Sequence, residues 1–225
     1  VLVEVRDPEN ASGGEAITLS IIPTEAPTSD IIRPEENGVF YSDHLITFEG
    51  MIGDAEDEIE ELVYTWSSSI DETLDINTTV QSDGSMLGST YLSEGQHFIT
   101  LNVEDTTGKA GSSNVTITVG PPNTAPECSI VAPSTNLVGP EGEVVTFEGS
   151  VSDIDVPATV LTVDWSSDKD GLIGTSTPNS SGEVAFVYDS LSVNTHTITM
   201  TVTDEVGASC SDFVVYTVGT PPELV

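Results

Sequence analysis

Thr197-Ile198-Thr199-Met200-Thr201-Val202-Thr203 alternates threonine with a large apolar residue. A period of two is the pitch of a β-strand, whose side chains point in turn to opposite faces. Ile198, Met200 and Val202 therefore turn to a core and the threonines to water. Ile99, Leu101 and Val103 present the same inner face 99 positions upstream. Val145 with Phe147, Leu161 with Val163 and Trp165, and Ala185 with Val187 mark three further strands, separated by clusters of Gly, Pro, Asp and Ser that supply turns. No stretch carries the periodicity of an amphipathic helix.

The spacing of 99 recurs throughout. Phe48-Glu49-Gly50 returns as Phe147-Glu148-Gly149, Trp66-Ser67-Ser68 as Trp165-Ser166-Ser167, and His97 as His196. Asp54, Asp71, Asp105, Gly108 and Gly120 return as Asp153, Asp170, Asp204, Gly207 and Gly219. Such self-similarity is the signature of tandem repeats. A third, partial copy opens the chain: Val5-Arg6-Asp7, then Gly13, Ile17, Leu19 and Ile21, matches Val103-Glu104-Asp105, then Gly111, Val115, Ile117 and Val119. The expected organisation is the last hairpin of a preceding repeat over 1–22, one repeat over 23–120, a second over 121–220, and a linker over 221–225 toward a following repeat. On this reading the chain belongs to a longer array.

About seven short strands in each copy, with turn signals every 8 to 12 residues, predict an all-β fold of tandem immunoglobulin-like sandwiches. The inward tryptophans, Trp66 and Trp165, are expected in the cores. His97 and His196, at equivalent positions opening the penultimate strand, are expected to make a corner hydrogen bond.

Composition narrows the function. The chain has 38 Asp and Glu against four Lys and Arg, a formal net charge of −34. Nucleic acid needs clustered cations, and Arg6, Arg33, Lys109 and Lys169 are scattered. Anionic membrane surfaces are disfavoured on the same ground. No apolar run approaches the roughly 20 residues of a bilayer span, so no membrane insertion is expected in this segment. Neither GxSxG nor HExxH occurs, and His44 beside Asp43 has no nucleophile motif, so the chain is not expected to be an enzyme.

Gly95-Gln96-His97 through Asp105 and Gly108 follows the pattern G-x-H-x-I-x-x-x-V-x-D-x-x-G, and the stretch from Gly182 through Leu191 to Gly207 matches it at His196, Ile198, Val202, Asp204 and Gly207. These stretches resemble the closing half of PKD-type and related bacterial or archaeal immunoglobulin-like surface repeats. Asn123-Thr124-Ala125-Pro126 is similar to the linker and first strand of those repeats. The resemblance implies a PKD-like sandwich at a cell surface or outside the cell. The copies depart from one another: Val193-Asn194 stands where the first has Glu94-Gly95, and Asp168 where the first has Ser69.

Aspartates of the second copy cluster in three turns, holding Asp153 and Asp155, Asp168 and Asp170, and Asp204. Calcium takes six to eight hard oxygens, and D-x-D spacing aims two carboxylates at one ion. Sandwich topology brings Asp153, Asp155 and Asp204 to the end where Asn123 enters. Asp54, Glu56 and Asp105 are their counterparts in the first copy, while Asp168 and Asp170 belong at the other end. The same aspartates also suit turns, where their oxygens accept from loop amides. Cys128 on the first strand and Cys210 on the last both start at the linker end and are placed to form a disulfide, where the first copy has Ser29 and Gly111. N-x-S/T triplets at Asn10, Asn77, Asn114 and Asn179 permit glycosylation.

Together these features predict a spacer segment of an extracellular or cell-surface repeat protein, an adhesin, stalk or fibre, with calcium stiffening its joints. Its expected partners are neighbouring repeats, with other copies or surface glycans as further ones. One alternative is a polysaccharide-binding accessory region of a secreted hydrolase, using exposed aromatics such as Tyr41, Tyr91 or Tyr188. The other is a filament subunit assembling by strand complementation.

Overall fold

The computed structural model describes residues 2–18 and 23–219. Leu19 and Ile21 of the partial copy, and residues 220–225, lie outside the described residues. The chain divides into two compact units, Val1–Pro121 and Pro122–Val225.

The first unit opens with a hairpin of β1 (Leu2–Arg6) and β2 (Ser12–Ala16). It continues with β3 (Thr28–Arg33), β4 (Val39–Tyr41), β5 (Ile46–Gly53), a single 3-10 turn (Ile59–Glu61), β6 (Val63–Ser68), β7 (Glu72–Thr73), β8 (Thr79–Val80), β9 (Ser85–Thr90), β10 (Gly95–Glu104) and β11 (Ala110–Gly120). The strands from β3 onward form two sheets, ordered β3-β5-β9-β8 and β4-β11-β10-β6-β7.

In the second unit, β12 (Glu127–Ala132), β13 (Leu137–Pro140), β14 (Val145–Ser152), a 3-10 turn (Ala158–Val160), β15 (Thr162–Ser167), β16 (Gly171–Ser176), β17 (Glu183–Tyr188), β18 (Thr195–Thr203) and β19 (Ser209–Gly219) follow in order. They form sheets β12-β14-β17 and β13-β19-β18-β15-β16. In both sandwiches the opening stretch of chain serves two sheets. β3 and β12 pair antiparallel with β5 and β14, the chain crosses at Pro34 or Pro133, and β4 and β13 then pair parallel with the last strand. A proline suits that crossing because it has no amide to donate to a ladder.

The cores lie between the facing sheets and repeat the 99-residue spacing. Phe48 and Phe147, Ile99 and Ile198, Leu101 and Met200, and Val103 and Val202 are all fully buried. Trp66 and Trp165 are buried beside them, with ring centroids 5.4 Å from Phe48 and 5.7 Å from Phe147 respectively. Their indole N–H groups find different partners: Trp66 Nε1 faces Met86 Sδ at 3.3 Å, while Trp165 Nε1 donates to Ser176 Oγ at 2.9 Å.

β17 is the strand that Ala185 and Val187 mark, but those two residues are not its core face. Val184 and Phe186 face inward, Phe186 stacking on Trp165 at 6.1 Å, whereas Ala185 and Val187 are exposed. Both alternating sets of that strand are apolar, so periodicity does not say which set faces the core.

The loop of the first hairpin has the same bonding as the loops between the last two strands of each sandwich. The Asp7, Asp105 and Asp204 Oδ1 atoms each accept two amides, from Glu9 and Ala11, Thr107 and Lys109, and Val206 and Ala208. A turn position of positive φ follows in each, filled by Asn10, Gly108 and Gly207.

Candidate functional site

The acidic loops where the chain enters each sandwich form a fastening between linker and domain. In the second unit the Asn123 amide nitrogen donates to Asp204 Oδ2 at 2.8 Å, and the Thr124 N–H donates to Asp155 Oδ2 at 2.7 Å. In the first unit the Glu25 N–H donates to Glu56 Oε2 at 3.2 Å, and Lys109 Nζ donates to the Thr24 carbonyl. Both sandwiches therefore hold the incoming chain through the loop after the second strand and the loop before the last. Asp57 adds a bond that composition did not suggest: it accepts from the Thr106 N–H and hydroxyl, joining those two loops in the first unit.

Within each loop an aspartate organises the backbone. Asp153 Oδ1 accepts from the amides of Asp155 and Val156 at 2.7 and 3.1 Å, and Asp54 Oδ1 from Glu56 and Asp57 at 2.8 and 2.9 Å. The second oxygen of each, Asp153 Oδ2 and Asp54 Oδ2, is buried and has no hydrogen-bond partner among the described residues. Burial pushes the Asp204 carboxyl up, but hydrogen bonds from Asn123 and from the amides of Ala208, Val206 and Gly207 outweigh it and hold it below the ordinary aspartate value. Asp105 is lowered in the same way, burial being outweighed by the Lys109 amide and by Thr107.

The structure thus brings Asn123, Asp153, Asp155 and Asp204 to one end of the second unit, and Asp54, Glu56 and Asp105 to the matching end of the first. Their carboxylates serve mainly as acceptors for loop amides. Among the described residues no three His, Cys, Asp or Glu side chains gather as a metal centre.

Asp168 and Asp170 lie elsewhere, beside the start of β18 rather than its end. Asp168 Oδ1 accepts the Thr197 N–H at 2.7 Å and Asp170 Oδ2 the Ser192 N–H at 3.0 Å. A hydrogen bond from Lys169, followed by one from Thr197, lowers Asp168. The Ser192 amide lowers Asp170, against its burial, with His196 adding to the effect.

His196 is fully buried here, its Nδ1 2.8 Å from Ser167 Oγ and its Nε2 2.7 Å from the Ser192 carbonyl. A carbonyl only accepts, so in the neutral ring Nε2 carries the proton and Nδ1 accepts from the serine hydroxyl. His97 repeats the arrangement with Ser68 and Ser93, at 2.7 and 2.6 Å. Asp71 Oδ2 lies 3.8 Å from His97 and Asp170 Oδ2 3.6 Å from His196. The serines are buried and also cap the following turn, so each trio is a corner staple that closes one end of a sandwich. The signal for Ser68 and Ser167 was the recurrence of Trp-Ser-Ser.

Cys128 and Cys210 form a disulfide closing a separation of 82 residues. At the corresponding place in the first unit, Ser29 Oγ donates to the Leu101 carbonyl, and a Cβ at Gly111 would overlap the Pro27 carbonyl oxygen. That backbone approach leaves no room for a side chain. Of the aromatics considered for sugar stacking, Tyr41 lies on β4 and Tyr91 just beyond β9, on different sheets of the first unit, and Tyr188 on β17 packs against Phe186 at 5.8 Å.

The PKD domain family model matches residues 130–217. No curated protein matches the chain. Among solved structures, fibronectin(III)-like modules of Clostridium thermocellum CbhA are similar with TM-score 0.59 and 16% identity, over 85% of this chain and 94% of theirs. An I-band fragment of titin gives TM-score 0.47 and 14% identity, over 86% of this chain and 66% of that one. At such identity the likeness to the CbhA modules is one of fold. PKD and immunoglobulin-like domains typically serve extracellular structural or adhesion roles and are generally non-catalytic. No helix among the described residues is long and apolar enough to cross a membrane. The chain is a tandem of immunoglobulin-like β-sandwiches whose second unit matches the PKD domain family.

Proposed function

We propose that this chain is a load-bearing spacer in an extracellular or cell-surface repeat protein. The observation that carries this reading is the double fastening of the incoming chain, Asn123 to Asp204 and Thr124 to Asp155, repeated in the first unit through Thr24 and Glu25. A linker bonded to the domain it enters passes tension into the sheets instead of swinging freely. Pulling the chain from its two ends in a force spectrometer tests the reading. Discrete unfolding events are expected, a long one from the first sandwich and, while the Cys128–Cys210 bond is intact, only a short one from the second; smooth extension without them would overturn the reading.

Calcium is proposed as a ligand of the linker ends, on the strength of the buried, unpartnered oxygens of Asp153 and Asp54. Asn123, Asp153, Asp155 and Asp204 would hold it in the second unit. Hard carboxylate and amide oxygens are the donors that calcium takes. Bound there, the ion would neutralise part of an acidic end and stiffen the entry of the chain.

A further inference from the structure

The charge of this protein is unevenly placed. Of the outward-facing strand positions on the five-stranded sheet of the second unit, only Asp164 is charged, in a chain of net charge −34. β18 contributes its row of threonines, and β19 places Ser211, Phe213 and Val215 beside them. A cross-strand rung runs Phe213–Thr199–Ser166–Leu172 through paired positions of four neighbouring strands. Phe213 is 61% exposed and Leu172 68%, and Val138 on the edge strand β13 is 71% exposed. By contrast, the outward face of the three-stranded sheet carries Glu127, Glu148 and Glu183.

We infer that this face is where a second copy of the chain docks, sheet against sheet. Copies this acidic repel one another over most approaches. Opposing their charge-poor faces keeps the carboxylates apart and covers Phe213, Leu172 and Val138. The face offers about 500 Å² per partner from strand spacing and rise, roughly 1,000 Å² in all. That is the size of a weak, transient contact, suited to lateral clustering of tethered molecules, where local concentration is high. The inference goes beyond the spacer reading and uses sheet faces, not strand edges.

Sedimentation velocity of the whole chain in calcium-free buffer, at ~0.02 M and ~0.5 M sodium chloride, tests it; the Debye length falls from roughly 20 Å to about 4 Å between them. Self-association should strengthen with salt, by about tenfold or more in association constant, as residual repulsion is screened. Thr199→Glu and, independently, Phe213→Ser should abolish it, while Thr146→Glu on the other sheet of the same unit should leave it intact. Melting curves confirm that each variant is folded. A monomer at every salt concentration, association that weakens with salt, or association that survives both Thr199→Glu and Phe213→Ser would overturn the inference. So would capture of a neutral polysaccharide by this face without self-association.

Discussion

Glu72 sits at φ 58° in the turn where its counterpart in the second unit, Gly171, sits at φ 74°. The left-handed region costs a side-chain-bearing residue about 1–2 kcal/mol, partly offset by the greater entropy that glycine loses on folding. Glu72→Gly should therefore stabilise the first unit by roughly 0.5–1 kcal/mol. Gly171→Glu should destabilise the second by a similar amount, through backbone strain only, since nothing lies within 4 Å of the added Cβ. Thermal unfolding of the two variants checks both signs.

The Cys128–Cys210 bond encloses an 82-residue separation in the second unit, and the first unit has no such link. The chain-entropy relation assigns a loop of this length about 4.5 kcal/mol. Reduction should lower the melting temperature of the second unit and leave the first unchanged. In a pulling experiment the oxidised second unit should release only a short length. Reductant should add about 280 Å to that step.

Asp105 and Asp204 are held below the ordinary aspartate value of 3.8 by the amides they accept. A lowered carboxylate contributes its full stabilisation above that ordinary value and loses it as pH falls through its own lower one. Melting temperature should change little in neutral solution and decline steeply below about pH 4. Asp204→Ala leaves the Val206 and Ala208 amides without their acceptor, and should cost about 2 kcal/mol at neutral pH while flattening the acid limb. Melting curves taken across pH measure both effects.

Calcium should raise the melting temperature relative to EDTA. At about ten times its dissociation constant the gain is roughly 1.4 kcal/mol per site, or about 5–10 °C for a sandwich of this size. Asp153→Asn should remove the second unit's share. Equal melting curves in calcium and EDTA would remove the ion from the account and leave the spacer reading standing.

The Thr197–Thr203 alternation and the recurring Phe, Trp and His positions made the sandwiches legible, because side-chain period and repeat spacing are properties of the chain's own order. The inward face of β17 was not legible: Val184 and Phe186 alternate with Ala185 and Val187, and only packing against Trp165 chooses between them. The linker-end loops were legible as acidic turns of the right topology. Asp57 was not, because its partner, Thr106, lies 49 positions away.

The sequence by itself determined that this protein is a repeated β-structure, with its tryptophans inside and paired aspartates in several of its turns, because alternation and duplication act along the chain. Only the tertiary structure decided which groups meet across it: Trp66 with Met86 but Trp165 with Ser176, Ser167 with His196, and Asn123 with Asp204. Those pairings depend on how distant strands and loops are brought together, a relation no local pattern encodes.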